Sequence, residues 1–140
     1  MTFLGTADSG HTVTLGTDPS AGGDALRPTE LLAISLAGCT AMDVISILQK
    51  KQQVVTAFEV RTHVKRAADY PKVFTHIHLD YLIEGRQVDP GAVERAIELS
   101  LTRYCPIHAM LEKATQIDHS YHITEASTGL GPGVPAAEPA

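Results

Sequence analysis

Residues 27–42 read Arg27-Pro28-Thr29-Glu30-Leu31-Leu32-Ala33-Ile34-Ser35-Leu36-Ala37-Gly38-Cys39-Thr40-Ala41-Met42. Proline suits a first helical position, because the N–H it lacks would be unpaired there. Glu30 then puts a negative charge in the first turn, where the helix dipole favours it. The pattern predicts a helix starting at Pro28. From 31 to 42 that helix is apolar on every side, so it must be covered on every side. Past Asp43 it becomes amphipathic, and it ends near Gln49-Lys50-Lys51-Gln52 with cations in the last turn. The run has about the length of a short membrane span. Ser35, Gly38, Thr40, Asp43 and Ser46 interrupt it and no second candidate span exists, so it reads as the buried helix of a protein with no membrane partner.

Working outward, residues 2–16 read as a hairpin around Asp8-Ser9-Gly10. Residues 17–26, with Pro19, Gly22 and Gly23, read as a loop without phosphate-binding spacing. Residues 58–65 and 73–83 alternate strictly between apolar and polar, as strands with one buried face do. The short link between them, with Pro71, favours antiparallel pairing. Asp89 caps a second helix at Pro90, whose stripe is Val93, Ala96, Ile97, Ser100, Leu101 and Tyr104. Pro106 stops it and opens a third helix over 106–113. A last strand over 115–124 puts Ile117, His119, Tyr121 and Ile123 on one face. The order ββ-α-ββ-αα-β is an α+β pattern, not a doubly wound one. We expect one domain over 1–124, with a single five-stranded antiparallel sheet against one side of the long helix and a second copy of the chain covering the rest. Residues 125–140 are expected to be a disordered tail without chemistry.

The 140 residues carry 44% hydrophobic and 19% charged side chains, enough for one packed core. A formal charge of −5 argues against a nucleic-acid partner. Two cysteines cannot form a secreted disulfide scaffold. With no basic or apolar leader at residues 1–5, the expected location is the reducing cytoplasm, where paired cysteines are more often catalytic or metal-binding than structural.

Cys39 lies mid-helix, where it either packs as a small hydrophobe or reacts with help from elsewhere in the fold. The dipole gives it little, and Asp43 one turn on opposes a thiolate. Cys105 precedes Pro106 and so sits at a helix N-terminus, where N–H groups lower a thiol pKa, with His108 three residues on. It is either an exchanging thiol or a small cap residue. Seven histidines invite a metal reading. His76 and His78 share a strand face, but there is no CxxC or HExxH, so solvated histidines and no metal are expected. His119 and His122 point to opposite faces. No GxSxG elbow marks a serine hydrolase.

Residues 27–39, with Pro28, Glu30 and Leu31 ahead of Cys39, resemble the helix signature of the OsmC/Ohr family, the osmotically inducible and organic hydroperoxide resistance proteins. Tyr104-Cys105-Pro106 resembles its second signature, and the element order agrees over nearly the whole chain before the tail. The resemblance implies an OsmC-like fold: an intertwined homodimer with antiparallel sheets from both chains wrapped around long central apolar helices. It implies a thiol peroxidase acting on organic hydroperoxides, with Cys39 as the peroxidatic and Cys105 as the resolving cysteine. No bound cofactor is implied; an external lipoyl-type dithiol would act as reductant. Peroxidase members carry a glutamate directly after the helix-opening proline, paired with an activating arginine. Here that position is Thr29, the acid is Glu30, and no arginine precedes Arg27. Arg27 is the nearest candidate cation, but it lies about 18 Å from Cys39 along a straight helix. It would therefore serve a partner chain, or Arg66 would take its place. These departures leave a second reading open, a non-enzymatic redox sensor or carrier of a small hydrophobic ligand.

Overall fold

A computed structural model describes residues 1–17 and 24–127. Most of the loop read over 17–26 and the tail beyond 127 lie outside the described residues. The chain divides into two compact units, Met1–Ser35 and Leu36–Ala140.

In the first unit, β1 (Thr2–Thr6) and β2 (Thr12–Gly16) form the expected antiparallel hairpin, in register Thr2↔Gly16. Its turn places Gly10 at φ 86°, the left-handed region where a Cβ is strained. Leu26 bridges to Leu15, and its carbonyl accepts the Gly16 N–H at 3.0 Å.

The long helix α1 runs Pro28–Lys50, as the proline and the terminal cations predict. Glu30 reaches back so that its Oε2 accepts the Arg27 N–H at 2.8 Å, the backward half of a capping box. Leu36, Thr40, Val44 and Leu48 are fully buried and recur every four residues, which defines one inward row. The helix is long and apolar enough to cross a membrane by composition alone. Its buried row instead belongs to the core formed with the strands and helices that follow.

In the second unit, β3 (Val54–Arg66) and β4 (Phe74–Arg86) pair antiparallel. β4 turns Ile77, Leu79, Tyr81 and Ile83 into the core, each at most 2% exposed. Gly85 is required by proximity: a Cβ there would meet the Val54 carbonyl oxygen at 2.2 Å. Helix α2 (Pro90–Leu99) starts as read, with the Asp89 carboxylate accepting the Gly91 N–H. A π-helical turn, Ser100–Tyr104, follows, and Cys105 then caps α3 (Pro106–Leu111). The last strand, β5, spans Gln116–Glu125.

Two expectations are corrected. The five strands form not one antiparallel sheet but a two-stranded sheet, β1-β2, and a three-stranded one, β3-β4-β5. Within the latter, β5 runs parallel to β4. Residues 87–115, carrying α2 and α3, are long enough for the crossover that a parallel pair needs. In addition, Glu125 is strand rather than tail, and its carboxylate accepts the Gln87 N–H at 3.1 Å. Among the described residues the class is mixed α+β with two sheets and one long helix.

Candidate active site: a buried dithiol with a hydroxyl chain

Cys39 and Cys105, 66 positions apart in sequence, meet with Cys105 Sγ donating to Cys39 Sγ at 2.7 Å. Cys39 rides on α1 one residue before the buried Thr40 and is half-buried. Cys105 is buried and extended (φ −81°, ψ 104°), as the residue before a proline prefers. The π turn delivers it there. Its N–H bonds the Ser100 carbonyl at 2.8 Å, an i→i+5 closure that α-helical continuation would not make.

Cys105 does not behave as the helix-end reading expects. The His108 backbone N–H does donate to its Sγ at 3.3 Å, which favours a thiolate. Burial acts the other way and more strongly, and with the Cys39 hydrogen bond it pushes the thiol up to about 12. A six-residue helix supplies too little to reverse that. Cys105 therefore keeps its proton at neutral pH and acts as a donor toward Cys39. The His108 ring is buried, with Nδ1 3.8 Å from Glu112 Oε2.

Beside the sulfurs runs a chain of hydroxyls. Tyr81 Oη lies 2.7 Å from Thr40 Oγ1, and Ser100 Oγ lies 3.0 Å from Thr40 Oγ1 and 2.9 Å from Asp43 Oδ2. Ser100 has one hydroxyl proton, and a carboxylate only accepts, so that proton goes to Asp43. Burial pushes the Tyr81 hydroxyl up to about 12, so it too stays protonated. Cys39, Asp43 and Cys105 each bring one ligand-type atom within 4.8 Å of the others.

Arg27 and Glu30 are also brought together, with Arg27 Nη2 3.2 Å from Glu30 Oε1. Their backbone and side-chain bonds hold the Glu30 carboxyl below its ordinary range. Sequence reasoning missed Ser100, Thr40 and Tyr81. Ser100 falls on the apolar stripe expected for the second helix but opens the π turn, and nothing local signals a partner 57 residues away.

On the other face of the three-stranded sheet, the parallel register sets Asp118 opposite His78. Its carboxylate bridges two imidazoles, with His78 Nδ1 at 2.5 Å and His76 Nε2 at 2.9 Å. The second contact is poorly aligned as a hydrogen bond. His78 Nε2 reaches Ser120 Oγ at 2.8 Å, and His122 Nε2 lies 3.5 Å from Asp80. These histidines, expected to be merely solvated, make close contacts with Asp118, Ser120 and Asp80 across β4 and β5.

The fold and site together define a mixed α+β protein with a closely apposed pair of cysteines. The chain belongs to the OsmC-like protein family, whose model matches residues 21–120. It is 42% identical over 126 residues to Protein YhfA of Escherichia coli K12, covering 90% of this chain and 92% of that one. A crystal structure of a protein from Aquifex aeolicus VF5 is 31% identical, superposes with a TM-score of 0.79, and covers 90% of this chain and 89% of that one. The organic hydroperoxide resistance protein OhrB of Bacillus subtilis shares the fold, with a TM-score of 0.57, 14% identity, and coverage of 87% of this chain and 96% of that one. Membership links the chain to a family with a peroxiredoxin-like role in stress.

Proposed function

We propose that the protein reduces organic hydroperoxides through a two-cysteine disulfide cycle. The observation that carries this reading is the 2.7 Å approach of Cys39 and Cys105. The Cys39 thiolate attacks the peroxide, breaking its O–O bond. The sulfur becomes a sulfenic acid, and the substrate leaves as an alcohol after taking one proton. The Cys105 sulfur then displaces the hydroxyl from the sulfenic sulfur. Water leaves with the Cys105 proton, and a disulfide forms. An external dithiol of the lipoyl type restores both thiols and becomes a disulfide itself.

The protonated state of Cys105 suits this division of labour. It donates to the Cys39 sulfur, and as a resolving thiol it needs no early ionisation. Arg27, held by Glu30, is the cation we assign to activating Cys39. The helix spacing between Arg27 and Cys39 favours its supply by a second copy of the chain over supply from the same chain. Members of the family are commonly homodimers. Exposed apolar side chains on α1, Ile34 at 49% and Met42 at 73%, support the same assembly here. A monomeric mass in light scattering at micromolar concentration would remove the trans assignment. We place its action in the cytoplasm, where a dithiol is returned to its reduced form between cycles.

The test is consumption of tert-butyl hydroperoxide with a dithiol reductant. The wild-type chain turns over many times, and Cys39→Ser abolishes turnover; activity surviving that substitution overturns the assignment. The redox-sensor reading draws on a different feature. Among the described residues, no lysine, arginine or histidine side chain forms an ion pair with Asp43 beside the thiols. A sensor oxidises once per chain without multiple turnover, and the same assay separates the two.

A further inference from the structure

The dithiol sits in an unbalanced electrostatic setting. Two sulfurs and the Asp43 carboxylate converge within 4.8 Å of one another, all three residues at least half-buried. Asp43's hydrogen bond comes from Ser100 Oγ on Oδ2, which orients the carboxylate; among the described residues, no hydrogen bond engages Oδ1. Among the described residues, no side-chain cation pairs with it. Two soft thiols and one hard oxygen, held by an outer hydroxyl, form a donor set matching a divalent thiophilic ion better than an alkaline-earth one.

We propose that the reduced protein binds one Zn²⁺ per chain through Cys39 Sγ, Cys105 Sγ and Asp43 Oδ1, with the fourth position open on the exposed side of Cys39. The site shares its sulfurs with the redox cycle proposed above and rests on the same pairing. The geometry is within reach. Zinc bonds of about 2.3 Å to sulfur in a tetrahedron need the sulfurs about 3.8 Å apart. They stand 2.7 Å apart, so each moves by roughly half an ångström through χ1 rotation. The three residues lie on α1 and at the start of α3, rigid elements that hold the triad in place.

The chemistry balances. On binding, both thiols give up their protons to solvent, and the ion's charge offsets the cost of two thiolates in a buried site. When an organic hydroperoxide oxidises the zinc dithiolate, two protons are taken up. The products are the Cys39–Cys105 disulfide, free Zn²⁺, one alcohol and one water. The sulfurs are thus either metal-bound or disulfide-linked, never both, and zinc masks the thiols until peroxide releases it.

The experiment titrates the reduced full-length chain with Co²⁺ under anaerobic conditions and follows its absorption, then adds Zn²⁺. We expect a thiolate-to-cobalt charge-transfer band that saturates at one ion per chain and that Zn²⁺ abolishes. Cys39→Ser and Cys105→Ser should each lose most of the band and weaken binding on the order of 100-fold. Asp43→Asn should keep the charge-transfer band, shift the ligand-field bands, and weaken binding about tenfold. Far-ultraviolet circular dichroism of each variant checks that it is folded, and the asparagine variant reports even if a serine variant is not. No charge-transfer band in the wild type, or full-strength binding by a folded Cys105→Ser chain, overturns the site. Unchanged bands and affinity in Asp43→Asn overturn the carboxylate's part in it. Mass spectrometry after peroxide distinguishes the two proposals. A disulfide without a cobalt band leaves the redox cycle standing and removes the metal site; a cobalt band without a disulfide does the reverse.

Discussion

Replacing Ser100 by alanine isolates the hydroxyl chain from the thiols. The substitution is close to isosteric, so it opens almost no cavity and its cost is polar. Ser100 is fully buried, and its Oγ lies 2.9 Å from Asp43 Oδ2 and 3.0 Å from Thr40 Oγ1. A hydrogen bond to a carboxylate contributes roughly 1.5–3 kcal/mol, and a neutral one about 1 kcal/mol. Asp43 is only half-buried and regains some water, which trims the first figure. Thr40 is fully buried but keeps its Tyr81 contact at 2.7 Å, which trims the second. The expected net loss is about 2–3 kcal/mol. For a domain of this size that lowers the melting temperature by roughly 6–12 °C. The assay is thermal unfolding of the reduced protein by circular dichroism at fixed protein concentration. A shift under about 2 °C would refute the hydroxyl chain as a buried, satisfied network. The Ser100 carbonyl still holds the Cys105 N–H, so the variant should retain peroxide-driven disulfide formation below its melting point.

Three further outcomes are expected. Cys105 is pushed up from an ordinary 9.0 to about 12, so between those values the folded chain holds a proton that the unfolded chain has lost. Stability must fall as pH rises through that window, and urea midpoints should fall less steeply in Cys105→Ser; Tyr81, also raised to about 12, keeps part of the slope. Asp118 is held below its ordinary 3.8, first by the His78 hydrogen bond and then by the His76 contact. Its contribution is present above the ordinary value and is lost as pH falls through the lowered one, so the stability gap between wild type and Asp118→Asn should close in acid. Glu30→Ala removes the acceptor of the Arg27 N–H, and hydrogen exchange should speed up in the first turn of α1 while the melting temperature barely moves.

Much of this molecule is legible in its sequence because the signals are local. Pro28 and Glu30 mark the start of α1, and strict alternation marks β3 and β4, since each rests on neighbouring residues. The direction of β5 is not legible: alternation tells which face is buried but not which strand is beside it or how it runs. The parallel register, and with it the Asp118 bridge between His76 and His78, follows from a crossover that only the folded chain makes. The π turn leaves no mark either, because the i→i+5 closure between Ser100 and Cys105 has no composition of its own. The two cysteines stand out as residue types, and their resemblance to family signatures marks them as a pair. Their roles depend on burial, which reverses the pKa direction that a helix N-terminus alone predicts for Cys105.

The central claim is that Cys39 and Cys105 act as one redox unit. Intact-mass and peptide mass spectrometry of the reduced protein, treated with an excess of an organic hydroperoxide, tests it most directly. The account predicts an intramolecular Cys39–Cys105 disulfide within a single chain, and over-oxidation of Cys39 when Cys105 is replaced by serine. Two unmodified thiols, or a Cys39 carried to sulfinic acid while Cys105 stays free in the wild-type chain, would contradict it.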